Sequence, residues 1–431
     1  MKITFIVPTY NNLRYLKNAI RSIRTHAGNE HEIVVLDDAS ADGTEEWLLQ
    51  LKDPQMKIWV NRSDKRLGHT ITYNLGAHLA SSEIISILHA DMFIGPNYVE
   101  NALKHLDPYT VVSATRIEPP LHPSGLEKIT KDFGMWPEEF KEQEFLDFVA
   151  TEQKERKDQT TRGIFAPWFI HRDDFLEIGG HDSLFAPFPY EDSDIFQRFM
   201  LAGYGIVQSR DALVYHLTCR GHKWTDPNQL GKVDDSFEKA EAAARKNYLR
   251  KWGSWIRNNE YSMPVIFPKY PTTVVIHNTK ASPTLLPTIE PLVDLTITDL
   301  PSKEVDEYLD EEQKNTVIDM TYRVMGKDVD PLPPLAGVVI TIADANKLDL
   351  QDVQFLVNHN EIISQMCEEY ELSPGVYDIG NLEVRITTEN LQDSVPSLRD
   401  VPDDRRVYVS DFRSTVHDLS TGLSMEYGAA Q

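Results

Sequence analysis

Short clusters of chemically capable side chains punctuate this chain of 431 residues. Thr9-Tyr10-Asn11 sets a hydroxyl, an aromatic ring and an amide side by side. Asp37-Asp38 and Glu191-Asp192 are paired acids. Neighbouring carboxylates raise one another's pKa, which brings one of them toward the range of a working general base. His89-Ala90-Asp91 offers an imidazole and a carboxylate two positions apart, and His216 follows an apolar run. Carboxylate oxygen and imidazole nitrogen both ligate divalent cations. Plainer roles compete. Asp37-Asp38 can cap the turn before Gly43, and Glu191, Asp192 and Asp194 can favour a helix N-terminus. A lone histidine is more often structural than ligating. The base and helix-terminus readings are compatible, because a helix can aim a base.

The elements that must hold these clusters alternate between strand and helix. Residues 3–7 are an apolar run of strand length closed by Pro8. Asn11 or Asn12 caps a helix in which Leu13, Leu16, Ala19, Ile20 and Ile23 recur at helical spacing. A β-branched strand over 32–36 ends at Asp37-Asp38, and Asp42-Gly43-Thr44 turns into a helix over 45–51. A helix over 67–80 and a third strand over 84–88 lead to His89-Ala90-Asp91. This alternation predicts βαβ units and a mostly parallel sheet, whose ligand crevice lies outside the carboxyl ends of the strands. Three of the clusters sit at those ends.

Residues 118–162 read as a polar insertion or cover beside the site, with one amphipathic stretch over 138–152. Order returns over 163–171, followed by a Gly179-Gly180 turn, a helix over 194–202, a strand over 205–209 and a closing helix over 236–252. A first domain is therefore expected over 1–257 and a linker over 258–272. A second α/β domain follows over 273–395, with strands over 273–276, 294–298, 316–320 and 338–342 and helices over 282–293, 302–314 and 350–370. It closes with a hairpin turning at Gly380-Asn381. Residues 396–431 are expected to be a polar tail, partly ordered at best.

Phe5-Ile6-Val7-Pro8-Thr9-Tyr10-Asn11, followed by Val34-Val35-Leu36-Asp37-Asp38-Ala39-Ser40-Ala41-Asp42-Gly43-Thr44, resembles the nucleotide-sugar half of family 2 glycosyltransferases. The resemblance continues through Leu67-Gly68, Asn74-Leu75-Gly76, Ala80 and His89-Ala90-Asp91. It resumes at Gly179-Gly180-His181-Asp182 and Glu191-Asp192-Ser193-Asp194 and ends near His216. None extends over residues 260–431. It implies a Rossmann-like GT-A fold and an inverting enzyme that moves a sugar from a nucleotide-diphosphate donor, by family frequency a UDP-sugar, to an acceptor hydroxyl. It further implies that Pro8, Thr9, Tyr10 and Asp38, with Asp37 beside it, bind the nucleotide. Asp91 and His216 would hold a divalent metal, Asp192 would be the general base with Glu191 as its pair, and Asp182 would face the donor sugar.

The family's Asp-x-Asp element is His89-Ala90-Asp91 here, so imidazole replaces the first carboxylate. That change tilts the expected metal from Mg2+ to Mn2+, which tolerates nitrogen better, or leaves His89 as a hydrogen-bonding group at the sugar. Trp168, Phe165, Phe185, Phe188 and Tyr190 supply rings suited to the apolar face of a sugar, and one or two should reach the acceptor. Arg220-Gly221-His222-Lys223-Trp224 is loosely similar to the Arg-Trp element of processive synthases, but the preceding glutamine pattern is missing.

Other classes fit less well. Nucleotidyltransferases and dinucleotide-dependent dehydrogenases need a Gly-rich loop after the first strand, and Pro8-Thr9-Tyr10-Asn11-Asn12 contains no glycine. A zinc site on Cys219 and His222 lacks further ligands at suitable spacing. The serious alternative is an inactive scaffold that binds sugar or protein, with His89 as the mark of lost turnover. Retention of Asp91, Glu191, Asp192 and His216 together argues for turnover.

Charge narrows the partners. The chain carries 43 Lys+Arg against 67 Asp+Glu, a net of −24, and residues 261–431 hold 12 basic against 29 acidic side chains. So acidic a region repels phosphate backbones and anionic lipid surfaces, which argues against nucleic acid. Acceptor binding, homo-oligomerisation and a second enzyme all stay open as its role, although it shows no nucleophile–base pairing or phosphate loop. No run reaches the roughly 18 apolar residues of a membrane span. The opening apolar stretch is too short for a signal peptide, and the two cysteines, Cys219 and Cys367, fit a reducing cytoplasm.

Overall fold

The computed structural model describes the chain except residues 218–232, 234, 327–328, 330–334, 336, 371–373, 388–390 and 429–431. The Arg220-Gly221-His222-Lys223-Trp224 element, with Cys219, lies outside the described residues. The chain divides into two units. The first holds Met1–Ala240, Asn258–Pro264 and Asp400–Gln431, and the second holds Glu241–Arg257 and Val265–Arg399.

In the first unit the strands are β1 (Ile3–Thr9), β2 (Glu32–Asp37), β3 (Met56–Asn61), β4 (Ile84–Ile87), β5 (Met92–Ile94), β6 (Thr110–Glu118), β7 (Lys128–Thr130), β8 (Thr160–Thr161), β9 (Trp168–His171) and β10 (Gly205–His216). β3, β2, β1 and β4 lie side by side and parallel, as the βαβ reading requires. β9 then enters antiparallel between β4 and β6, and β10 runs parallel to β6. β2 is buried along its whole length and β1 along most of it, so both read as unbroken apolar runs rather than alternating ones. β3 and β6 escaped the sequence reading for a related reason. With residues buried on both faces they lack a period of two, and neither ends in a recognised cluster.

The helix Leu13–His26 buries Leu16, Ala19, Ile20 and Ile23, the stripe read from the sequence. The helix His69–Leu79 is buried from Thr70 through Ala77. It lies so close to β1 that a Cβ on Gly76 would stand 2.3 Å from the Ile6 side chain. Its Asn74 exchanges two hydrogen bonds with the backbone of His181: Nδ2 donates to the carbonyl at 2.7 Å, and Oδ1 accepts from the amide at 2.8 Å. That pair ties the helix to the Gly179-Gly180 turn. The region expected to be a loose cover is ordered: the helix Glu142–Glu155 packs Phe145 and Val149 against Phe93, Phe133 and Tyr215.

The tail departs most from expectation. Ser414–Asp418 pairs antiparallel with β3, and Leu423–Tyr427 pairs with Ser414–Asp418. Val416 is buried in the main core, Thr415 accepts from Arg62 at 2.8 Å, and Arg62 forks onto Glu45. The unpaired amides and carbonyls along the β3 edge explain this recruitment, because an open strand edge is a template for another strand.

The second unit is a six-stranded sheet. Val324–Met325, Leu295–Thr298, Thr272–Ile276 and Val338–Ile342 run parallel, and Leu382–Ile386 and Gly375–Ile379 add an antiparallel hairpin. Residues 316–320 are not a strand; the edge position falls to Val324–Met325. The expected 282–293 helix shortens to Leu285–Ile289 with a 3-10 turn over Glu290–Leu292, where Pro291 cannot continue an α-helical ladder. The helix Asp235–Trp252 does not close the first domain, since its residues from Glu241 belong to the second unit.

Asn74→Ala would strand a buried amide and a buried carbonyl, at a cost of roughly 2–4 kcal/mol for the two together. A urea titration should show that loss. A change under about 1 kcal/mol would mean that the turn finds other partners.

Candidate active site

Pro8, Thr9, Tyr10, Asp38, His89 and Asp91 line one cleft at the carboxyl ends of β1, β2 and β4, with a volume of about 530 Å³ including open solvent. The sequence clusters from three strands therefore converge. Arg66, His69 and Tyr73 complete its wall, and none of these was predicted.

Asp38 organises the floor. Its carboxylate accepts from the amides of Leu67 at 3.0 Å and Gly68 at 2.7 Å and from Asn61 Nδ2 at 2.8 Å. These bonds fix the loop 65–68. Gly68 has φ +83°, and a Cβ there would lie 2.3 Å from the Pro187 carbonyl oxygen, so only glycine fits. The Arg66 guanidinium is held over the Tyr10 ring at 4.3 Å and near Phe188 at 5.2 Å, with its Nε 3.7 Å from Asp38. Asp37 does not line the cleft. It is buried and caps the turn through the Ser40 amide at 3.0 Å, and burial pushes its carboxyl up to about 6.

Glu191 and Asp192 open the helix Glu191–Leu201. Glu191 Oε1 meets His69 Nε2 at 2.5 Å. Burial pushes the Glu191 carboxyl up, but the His69 imidazole outweighs it and holds the group below its ordinary value. Burial works against charge on His69 as well, and Glu191 outweighs it, raising the imidazole. Among the described residues Asp192 has no such imidazole partner. Burial and the adjacent Glu191 charge push it up to about 7. Burial pushes the Tyr73 phenol well above its ordinary value, and the Asp192, Glu191 and Asp91 charges add to it.

His89, Asp91 and His216 form a group whose ligand atoms lie within 4.8 Å of one another. His216 Nε2 is 3.4 Å from Asp91, and its Nδ1 is 2.8 Å from Glu118. Burial pulls the His216 imidazole down, but the Asp91 and Glu118 carboxylates override it and raise it to about 9. Two imidazoles and a carboxylate at this spacing fit a divalent transition metal. The set also brings the replaced position, His89, together with the two residues expected to hold the metal.

Two expected sugar contacts are corrected. Trp168 is fully buried, packed against Phe175, Phe196 and Phe199 in the core of the first unit, because its position on the inner strand β9 faces inward. Asp182 is also fully buried; one oxygen caps the turn at Leu184, and the other is 3.1 Å from Arg405. Of the aromatics near the site, Phe188 does reach it, stacked on His69 at 5.7 Å. The sequence did hold a signal for the missed residues. Arg66 and His69 flank the Leu67-Gly68 motif, but nothing local showed which way they point.

Residues 4–179 match the family model described as Glycosyl transferase family 2. Among known proteins the chain is similar to a validoxylamine A glucosyltransferase of Streptomyces hygroscopicus subsp. jinggangensis, 25% identical over 49% of this chain and 54% of that protein. It is also similar to the GalNAc(5)-diNAcBac-PP-undecaprenol beta-1,3-glucosyltransferase of Campylobacter jejuni, 36% identical over 21% of this chain and 29% of that protein. The chain thus spans about half the length of these relatives or less. Among solved structures it is similar to a mannosyltransferase from Pyrobaculum calidifontis in complex with GDP-Man and Mn2+, with TM-score 0.38 and 19% identity over 57% of this chain and 62% of that one. Among the described residues no helix is long and apolar enough to cross a membrane. Residues 4–179 are therefore similar to a family 2 glycosyltransferase domain, and the parallel order β3-β2-β1-β4 is consistent with the Rossmann-like sheet which that likeness implies.

Proposed function

We propose that the protein is an inverting glycosyltransferase that takes a sugar from a nucleotide-diphosphate donor, most simply a UDP-sugar, and passes it to an acceptor hydroxyl. The observation that carries this reading is the convergence of Tyr10, Asp38, His89 and Asp91 on one cleft, with Asp91 also in the His89–His216 group. In this reading Tyr10 offers its ring to the base and Asp38 its carboxylate to the nucleoside. The pairing of Arg66 with both supports a role for its guanidinium beside the donor. His89, Asp91 and His216 would hold a divalent cation, which neutralises charge on the departing diphosphate.

Asp192 accepts the proton of the acceptor hydroxyl as that oxygen bonds to the anomeric carbon, and the bond from that carbon to the diphosphate oxygen breaks. Inversion follows from a single displacement. His69 keeps Glu191 ionised and occupied, so Asp192 is the acid of the pair left to exchange a proton.

Calorimetric titration with UDP tests the donor site. Binding should need Mn2+ and be weaker with Mg2+, because two of the three ligands are imidazoles. It should be lost in Asp91→Ala. No binding to any nucleoside diphosphate, with or without metal, would instead favour a scaffold.

Asp192→Asn should lower transfer by roughly 100- to 10,000-fold and leave UDP binding nearly unchanged. A base must be ionised to work, so kcat/KM should rise with pH and level off above about 7, where Asp192 has lost its proton. A flat profile between pH 5 and 9, an interval of roughly two units on either side, would remove Asp192 from that role.

A further inference from the structure

Glu118 was not singled out by any motif, yet its carboxylate meets an imidazole, a lysine and an arginine. It is the last residue of β6, and His216 is the last residue of β10. The two strands run parallel with Tyr215 opposite Ile117, so Glu118 and His216 leave the sheet side by side. Glu118 Oε1 is 2.8 Å from His216 Nδ1. Its other oxygen accepts from Lys128 Nζ at 2.9 Å, and Arg116 stands 3.5 Å from Oε1. Glu118 is 3% exposed, too buried to be an incidental surface pair.

The direction of these bonds has a consequence for His216. An ionised carboxylate only accepts, so Nδ1 carries the hydrogen and the ring turns Nε2 toward Asp91, 3.4 Å away. A ligating imidazole needs that arrangement: a carboxylate behind one nitrogen fixes both the tautomer and the ring plane of the other. Lys128 and Arg116 in turn keep the carboxylate in place.

We propose that Glu118 is a positioning residue that holds His216 with Nε2 presented to a divalent cation shared with Asp91 and His89. The inference rests on the cation site proposed above and adds the residue that makes it rigid. Arg116 and Lys128 serve Glu118, so β6 and β7 as well as the ligand-bearing segments contribute to metal affinity.

The test is binding of Mn2+ to the full chain, followed through the electron paramagnetic resonance signal of the free ion, with and without UDP. Glu118→Gln keeps the size of the side chain and loses its charge. Glu118→Asp keeps the charge for Lys128 and draws the carboxylate back from His216. Both should bind Mn2+ about 10- to 100-fold more weakly than the parent while retaining its thermal transition. Parent-like Mn2+ affinity in either folded variant overturns the positioning role, as does a loss that appears only where the thermal transition is lost too. Asp91→Ala separates the two levels of the argument: if it binds Mn2+ as tightly as the parent, the cation site itself is wrong.

Discussion

Buried where β2 and β3 end, the Asp38 carboxylate is taken up by the Asn61 side chain and by the amides of Leu67 and Gly68. A buried charge survives only with hydrogen bonds of this kind, so the acid and the loop over 65–68 depend on each other. Once that loop is set, Gly68 rests against Pro187, and the next residue, His69, begins its helix within reach of Glu191. The floor of the cleft and its acid pair are therefore one mechanical assembly. Asp38 lies with Tyr10 in the lining of the cleft, yet the placing of Glu191 runs through it.

The cleft also separates groups of equal chemistry by unequal surroundings. Glu191 and Asp192 are neighbours in the chain and differ by one methylene, but only one of them meets His69. The partnered acid is held ionised, and the other has its proton affinity raised. In the His89–Asp91–His216 group His216 is held between two carboxylates, while His89 is half-buried beside it. In each pair the side chain is ordinary and the difference comes from a residue of another element.

That division explains what was legible. Pro8, Thr9, Tyr10, Asp38, His89 and Asp91 follow strands, and the rule that strand ends face the crevice was enough to bring them together. Glu191 and Asp192 were legible as a pair because they are adjacent. Arg66, His69, Tyr73 and Glu118 were not, since each acquires its role from a partner far along the chain, as His69 does from Glu191 or Glu118 from His216. Trp168 and Asp182 erred in the opposite sense: type and order suggested a sugar contact, while strand direction and an arginine from the tail put both in the interior. Elements without a polar terminus, such as β3, were invisible for a kindred reason, and the apparent strand over 316–320 had apolar content without a neighbour to pair with.

The strand Ser414–Asp418 has a meaning for how the chain is made. The bond from Arg62 to Thr415 joins residues 353 positions apart, and the whole of Val265–Arg399 lies between them in sequence. Closing a longer loop costs little free energy, about 0.6 kcal/mol per doubling, so an intervening module of any moderate size is tolerable at equilibrium. Time is the greater burden. During synthesis β3 emerges long before Ser414–Asp418 and waits as an open edge until that strand arrives, and open edges in incomplete chains are where association between molecules begins. A stalled or clipped product that lacks Ser414–Asp418 would carry every residue of the cleft and still be prone to aggregate.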